Sequence, residues 1–381
     1  MNKKFYKVTI IQKSLPQYRK PFFNALKEEL NKLGIELQLI YGLSNNSEAK
    51  KKDTIDLEWA NKIENKIIKI GSKELYWQPC LSLLRDSDLI IVEQASKLLV
   101  NYILFLQNLL GIKKLCFWGH GKNLDRDNAN TIAEKLKSIL SNKVHWWFAY
   151  NELSKDIVAQ LGFCKDKITV VQNAIDTEGL KEAAKKITDK QFIELKEEMG
   201  IKGKDICIYT GAMYKQKGLD FLLEAVQEIR KRNSEFEMIF IGAGPDEYKI
   251  KQAAQNHSWI HYVGAKFDSE KVPYLKISKL LLLPSAVGLV VLDSFALGVP
   301  LVTTSANNHG PEIDYIESGK NGLIVNSSDV KKAYVENVVL LLENEQMRKR
   351  YANKCIEDSE KYTIEKMVKN YSSGLKEALM K

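Results

Sequence analysis

The chain has 381 residues, 45% hydrophobic and 28% charged, with a formal net charge of +9. This is an ordinary globular composition in a chain longer than one hydrophobic core usually holds, so two domains are expected. No stretch approaches the roughly 20 uninterrupted apolar residues that cross a bilayer, and five scattered cysteines without a Cys-x-x-Cys pair suggest neither a disulfide framework nor a zinc site.

The basic start, MNKKFYKVTIIQKSLPQYR, has a short apolar run and no small-residue cleavage site, so it reads as a first strand and points to a reducing cytosol. Apolar strand-like runs follow at Val8 to Ile11, Leu37 to Ile40, Leu89 to Val92, Lys114 to Trp118 and Trp147 to Tyr150. Between the first two, Phe22, Phe23, Leu26, Leu30 and Leu33 are spaced to share one helical face. A second series runs from Ile206 to Thr210, Glu237 to Ile241, Ile260 to Val263, Leu280 to Leu283, Leu301 to Thr303 and Gly322 to Val325. Strands alternating with helices predict α/β domains with doubly wound parallel sheets. The break between the series falls at KITVVQNAID, residues 167–176, ahead of a charged helical stretch from Thr177 to Gly200. Helices are also expected over Val330 to Glu343 and about Ile364 to Met380.

Residues 1–180 hold 27 Lys and Arg against 20 Asp and Glu, so seven of the nine net positive charges lie in the first half. No nucleic-acid signature accompanies them, which leaves acidic saccharides and anionic lipid as the partners such a field attracts. The loop at 14–23 lies at the carboxyl end of the first strand, where open α/β sheets bind ligands. Pro16, Tyr18 and Arg19 are its acceptor-side candidates, with structural work equally open for Pro21 and Phe22. In CFWGHGKN, His120 stands between glycines after a strand, which allow close backbone approach to a ligand, although a satisfied polar residue at a strand end has the same look. Lys122 follows. Asp125 and Asp127 superficially offer a metal-binding carboxylate pair, but a solvated loop is the better reading. Over residues 128–148, Ile132, Ala133, Leu136, Ile139 and Leu140 form a helical face flanked by Lys135, Lys137 and Lys143, with Trp146 and Trp147 after it. A docking helix for an anionic bilayer and a helix packed on its own sheet fit this pattern equally.

The most informative run is LLLPSAVGLVVLDSFALGVPLVTT, residues 281–304. It reads as a buried strand, a sharp turn from Pro284 to Gly288 and a helix opening at Leu289. Such a helix start presents backbone N–H groups and the positive dipole end, a ready phosphate site. Asp293 sits one turn in, where a carboxylate can take two ribose hydroxyls. Upstream, YTGAMYKQKGLDFLLEA ends a strand at Gly211 and opens a helix after Lys217 and Gly218. IFIGAGPDEY lacks the third glycine of a dinucleotide fingerprint, and Gly242 and Gly244 read as structural.

Gly288, Leu289, Val290, Asp293, Gly298 and Pro300 closely resemble the characteristic segment of the retaining glycosyltransferases of family 4, the group 1 glycosyl transferases with the GT-B fold. Asn173, Ala174, Ile175 and Asp176 are similar to that family's interdomain sequence, with alanine in place of glycine. The resemblance implies two Rossmann-like domains facing a central cleft: an acceptor-side domain over 1–170, on which a terminal helix at about 363–381 packs back, and a nucleotide-sugar-binding domain over 171–362. It implies metal-independent transfer of a hexose-like sugar from a UDP- or GDP-linked donor to a glycan or polyprenyl-linked glycan, in cell-surface polysaccharide work such as lipopolysaccharide or capsule synthesis. No cofactor is implied, and the setting is the cytoplasm, peripheral to the inner face of the membrane.

Residue by residue, the resemblance places Lys217 and Gly211 at the donor diphosphate, with Ala212 where the family has arginine; Lys122 or Arg19 would then supply the missing charge. Backbone at Gly264 and Ala265 meets the nucleobase, the N–H groups of Leu289 and Val290 after Gly288 meet phosphate, and Asp293 meets ribose. His120 and Lys217 are the catalytic candidates. Ser285 replaces the family's first glutamate, Glu312 matches a later one, and His309 is a candidate to help hold the donor sugar. These departures also motivate a second reading, a nucleotide-sugar-binding pseudoenzyme or partner subunit of the same fold.

Overall fold

The computed structural model describes residues 5–43, 55–71, 73–121 and 142–381. It divides into two compact units, one of residues 1–173 with 364–381 and one of residues 174–363. In chain order the first unit has β1 (Tyr6–Gln12), β2 (Ile35–Gly42), β3 (Asn61–Ile63), a hairpin of β4 (Lys66–Ile70) and β5 (Lys73–Trp77), then β6 (Leu89–Glu93), β7 (Lys114–Gly119), β8 (Trp146–Ala149) and β9 (Ile168–Val170). Seven of these form one parallel sheet in the order β3-β2-β1-β6-β7-β8-β9. Its central strands are apolar on both faces: Val8, Ile10, Ile11, Leu89, Ile90 and Ile91 are all solvent-inaccessible. That is the pattern of a sheet covered by helices on either side.

The helix Lys20–Lys32 buries Phe22, Phe23, Leu26 and Leu30. Phe22 packs 5.6 Å from Trp118 and 5.5 Å from Tyr371. Tyr371 comes from the helix Ile364–Met380 and stacks on Phe148 at 4.6 Å. Close approach of this helix depends on Gly374, because a methyl group there would lie 2.3 Å from the Thr169 hydroxyl.

The second unit holds β10 (Asp205–Thr210), β11 (Phe236–Ile241), β12 (Ile260–Gly264), β13 (Leu280–Leu282), β14 (Leu301–Thr304) and β15 (Gly322–Val325). They pair in parallel in the order β12-β11-β10-β13-β14-β15. The charged stretch after residue 176 forms two helices with polar caps. Asp176 accepts from the Gly179 N–H at 2.9 Å, and Thr188 with Gln191 makes a capping box.

Each sheet reverses its strand order once, between β1 and β6 and between β10 and β13. The carboxyl ends of strands at such a reversal form the ligand crevice of an open α/β sheet. The expected strands are all present, together with β3, the β4–β5 hairpin and β9, which the apolar-run reading passes over. Trp146 and Trp147 are buried in β8, so they are core residues of the sheet and no interfacial belt. Lys122, Asp125, Asp127, Lys135, Lys137 and the helical face of 128–141 lie outside the described residues. Among the described residues no helix is long and apolar enough to cross a membrane.

Candidate functional site

In the second unit the expected donor residues converge on the β10/β13 reversal. β10 ends at Thr210, and Gly211 (φ +149°) turns the chain while its N–H stays bonded to the Ile241 carbonyl at 3.0 Å. Gly242 and Gly244 are structural in a specific sense. A Cβ at Gly242 would lie 1.9 Å from the Gly211 oxygen, and one at Gly244 2.3 Å from the Met213 oxygen. The two glycine-bearing loops therefore pack backbone to backbone and hold the 211–217 segment in place. The Ala212 carbonyl accepts from the Tyr209 hydroxyl at 2.8 Å.

Lys217 ends a short 3-10 turn, and Gly218 in the left-handed conformation (φ +69°) starts the helix Leu219–Arg232. A Cβ at Gly218 would lie 2.9 Å from the Ser285 hydroxyl, so glycine lets this helix start approach the turn after β13. The Lys217 side chain is only 9% exposed. Its ammonium donates to the Ala286 carbonyl at 2.5 Å.

The turn from Pro284 to Gly288 is pinned from several sides. Ser285 donates to the Gln216 carbonyl at 2.7 Å, an acceptor it shares with the Asn308 amide at 2.7 Å. The Pro284 carbonyl accepts from both the N–H and the hydroxyl of Thr304, at 3.2 and 2.7 Å. Gly310 N–H donates to the Val287 carbonyl at 2.7 Å. The left-handed residue of the turn is Ala286 (φ +49°). At Gly288 a Cβ would meet nothing within 4 Å. Ala286 is therefore the strained position, and open space lies over Gly288 beside the start of the helix Val290–Leu297.

Two of the expected site residues already have partners within the fold. His309 is not a loop histidine facing solvent or a sugar: it is 7% exposed, and both ring nitrogens are engaged by backbone. Its Nδ1 accepts from the Val287 N–H at 3.1 Å, so Nε2 carries the proton and donates to the Thr304 carbonyl at 2.8 Å. Burial lowers its pKa, aided by the nearby Lys217 charge and opposed by the Thr304 bond. Asp293, expected at the ribose, is paired with Lys271. It is 3% exposed, and the Lys271 ammonium lies 2.7 Å from Oδ1 and 2.8 Å from Oδ2. Burial raises its pKa against the opposing pull of Lys271. Each carboxylate oxygen keeps lone-pair capacity beyond one ammonium bond, so the pair can still accept hydroxyls. Sequence reasoning missed Lys271, whose only signal would have been its place in the turn that follows Gly264.

Gly264 (φ +83°) has open space at its Cβ position, and its carbonyl accepts from the Gly242 N–H at 2.8 Å. Ala265 is half-buried beside it. Glu312 is buried, and a Cβ on Gly310 would lie 2.7 Å from its Oε2, so its carboxylate backs the loop that carries His309.

In the first unit a second cluster forms at the carboxyl ends of the strands. Pro16 caps the 3-10 turn Gln17–Arg19. Arg19 is 3% exposed, and its guanidinium lies 4.5 Å from the Trp118 ring, 5.1 Å from Tyr18 and 5.8 Å from Tyr150. His120 is half-buried past the end of β7, its ring 6.1 Å from that of Tyr150. The flanking glycines are packing requirements, since a Cβ on Gly121 would lie 2.7 Å from Val158 and one on Gly119 3.2 Å from Gln94. The structure thus gathers Arg19 and His120 around Tyr150. Among the described residues no three or more His, Cys, Asp and Glu side chains converge as a metal site.

Residues 204–344 match the family model described as Glycosyl transferases group 1. An uncharacterized glycosyltransferase of Methanocaldococcus jannaschii is 29% identical over 169 residues, 42% of this chain and 45% of the relative. The alpha-D-kanosaminyltransferase of Streptomyces kanamyceticus is 26% identical over 172 residues, 43% of each chain. The alignments thus span less than half the length of these relatives. Over nearly the whole chain the fold matches HepE of Anabaena, crystallised with UDP-glucose, with a TM-score of 0.72 at 13% identity, covering 97% of this chain and 99% of that one. The architecture is the GT-B fold, and the group 1 resemblance carried by Gly288 to Pro300 extends through the second unit's sheet.

Proposed function

We propose that this chain is a retaining glycosyltransferase that moves a sugar from a nucleotide diphosphate donor to a glycan or lipid-linked glycan acceptor. The observation that carries the reading is the β10/β13 reversal. A buried ammonium, a turn held by the 216–217 and 304–310 segments and a helix start with open space over Gly288 meet there, with Asp293 one turn inward. The UDP-glucose bound by HepE supports a nucleotide-sugar donor and makes uridine the first base to test.

In this reading the bond from the sugar's anomeric carbon to the diphosphate breaks as the acceptor hydroxyl forms a new one on the same face. The hydroxyl proton passes to a donor phosphate oxygen. Negative charge grows on the departing diphosphate, and Lys217 with the N–H groups of Leu289 and Val290 stabilise it from fixed positions. The Ala286 carbonyl holds the Lys217 ammonium in place before the donor arrives. Asp293, paired with Lys271, accepts ribose hydroxyls, and His120 orients a sugar hydroxyl. This assignment involves no metal, and activity should therefore persist in excess chelator.

A second reading, a nucleotide-sugar-binding protein without turnover, draws on Ala212 and on the internal bonds already made by Ser285 and Asp293. Calorimetry with UDP and GDP, followed by release of each nucleotide from its sugar donors, separates the two. Binding with turnover supports the enzyme, binding alone supports the second reading, and no binding of either nucleotide removes both.

A further inference from the structure

Arg19 is the least explained charge in the first unit. A guanidinium removed from water needs hydrogen-bonded partners to offset its lost hydration. Yet Arg19 Nη1 is buried and finds no hydrogen-bond partner among the described residues. Burial works against its charged form, while Tyr18, Tyr150 and, through its charge alone, Glu93 outweigh burial and keep it a cation. Aromatic rings surround it: the guanidinium carbon lies 4.5 Å from the Trp118 ring centre, 5.1 Å from that of Tyr18 and 5.8 Å from that of Tyr150. Tyr18 hydrogen-bonds to the guanidinium, and Nη1 is the group left to donate a charge-assisted bond to an oxyanion.

The position adds to this. Arg19 follows β1 at the β1/β6 reversal, the crevice end of the first sheet. One wall of the cage is fixed, since Trp118 is buried against Phe22 and Phe23. Tyr18 is half-buried and lies on the short 3-10 turn.

We propose that Arg19, set against Trp118 and walled by Tyr18 and Tyr150, reads an oxyanion carried by the sugar acceptor. This rests on the glycosyltransferase reading for the word acceptor, but the anion site stands on the first unit alone. The shared chemistry is a carboxylate or a phosphate, from an acidic sugar or from a phosphorylated one. Aromatic walls suit a sugar ring beside the anion, because they offer apolar faces next to the one charged edge.

The test uses the full chain saturated with UDP, so that the second unit's phosphate site is filled, and titrates D-glucuronate, glucose, glucose 6-phosphate and inorganic phosphate while following binding by tryptophan fluorescence and calorimetry. Glucuronate or glucose 6-phosphate should bind at least about tenfold more tightly than glucose, the scale of one charge-assisted bond. The one that does so identifies the source of the anion. Arg19→Met should abolish the preference, and Arg19→Lys, which keeps the charge and loses the planar guanidinium, should weaken it. UDP affinity should be unchanged in both variants. If Arg19→Met does not fold, Arg19→Lys and the wild-type anion preference decide the matter. Absence of any preference over glucose in the wild type, a preference that survives Arg19 replacement, or a parallel loss of UDP affinity overturns the proposal. Failure of the wild type to bind UDP at all would instead count against the glycosyltransferase reading.

Discussion

Replacing Asp293 by asparagine keeps the shape of the side chain and removes its charge. In the structure that carboxylate is buried, with Lys271 Nζ at 2.7 and 2.8 Å from its two oxygens. If ribose hydroxyls donate to the same oxygens, the carboxylate accepts hydrogen bonds that are charge-assisted, worth about 1.5–3 kcal/mol against roughly half that for a neutral acceptor. Lys271 already draws on the same charge, so the lower end of the range applies. The amide therefore costs about 1–2 kcal/mol over two hydroxyls, or about 5- to 30-fold in nucleoside diphosphate affinity. Breaking the Lys271 pair also destabilises the protein, so loss of affinity alone is ambiguous. A cleaner assay compares UDP with 2′,3′-dideoxy-UDP by calorimetry in wild type and in Asp293→Asn. Wild type should discriminate strongly between them, and the variant should lose most of that discrimination while the diphosphate still binds. Equal discrimination in both proteins would show that Asp293 serves only to pair with Lys271.

Two glycines should behave oppositely. Gly242→Ala drives a methyl group into the Gly211 carbonyl and should cost about 2 kcal/mol or more in urea denaturation, whereas Gly288→Ala, with nothing within 4 Å, should keep stability within about 0.5 kcal/mol and still weaken nucleoside diphosphate binding. His309 has its pKa lowered in the fold, so the unfolded chain takes up a proton first and stability falls as pH drops below about 6.5. His309→Gln should flatten that acid slope, measured as denaturation midpoint between pH 7 and pH 5, and leave the part due to His145, also lowered by burial. Binding to vesicles of anionic lipid should rise with anionic content and fall with salt, and joint replacement of Lys135, Lys137 and Lys143 by glutamine should weaken it at about 1 kcal/mol per charge; a wild type that ignores such vesicles at low salt would point to a soluble acceptor.

The central strands were legible because a parallel strand buried on both faces needs a continuous apolar run, and Val8 to Ile11 or Leu280 to Leu283 can serve as little else. The strands passed over are edge or exposed ones. β3 is Asn-Lys-Ile, and every residue of β4 is exposed, so neither carries the burial that writes a pattern into sequence. At the candidate site, the glycine-ended strand and the helix start were readable because they depend on local backbone geometry. Lys271 beside Asp293, His309 bonded at both nitrogens and the aromatic cage of Arg19 were not, because each joins residues brought together only by the packing of distant strands and loops. The left-handed residue of the turn after β13, Ala286, has no signal in the sequence, because alanine rarely takes that conformation.

The most direct measurement of the central claim is release of nucleoside diphosphate from a panel of UDP- and GDP-sugars by wild type and Lys217→Ala, in excess chelator and with candidate acceptors present. The account predicts turnover of at least one donor in the absence of free metal and a fall of about 10²- to 10³-fold in the variant, the scale of losing one preorganised electrostatic contact. Nucleotide binding without turnover of any donor would contradict it, and a fall of about tenfold or less would remove Lys217 from the leaving-group site.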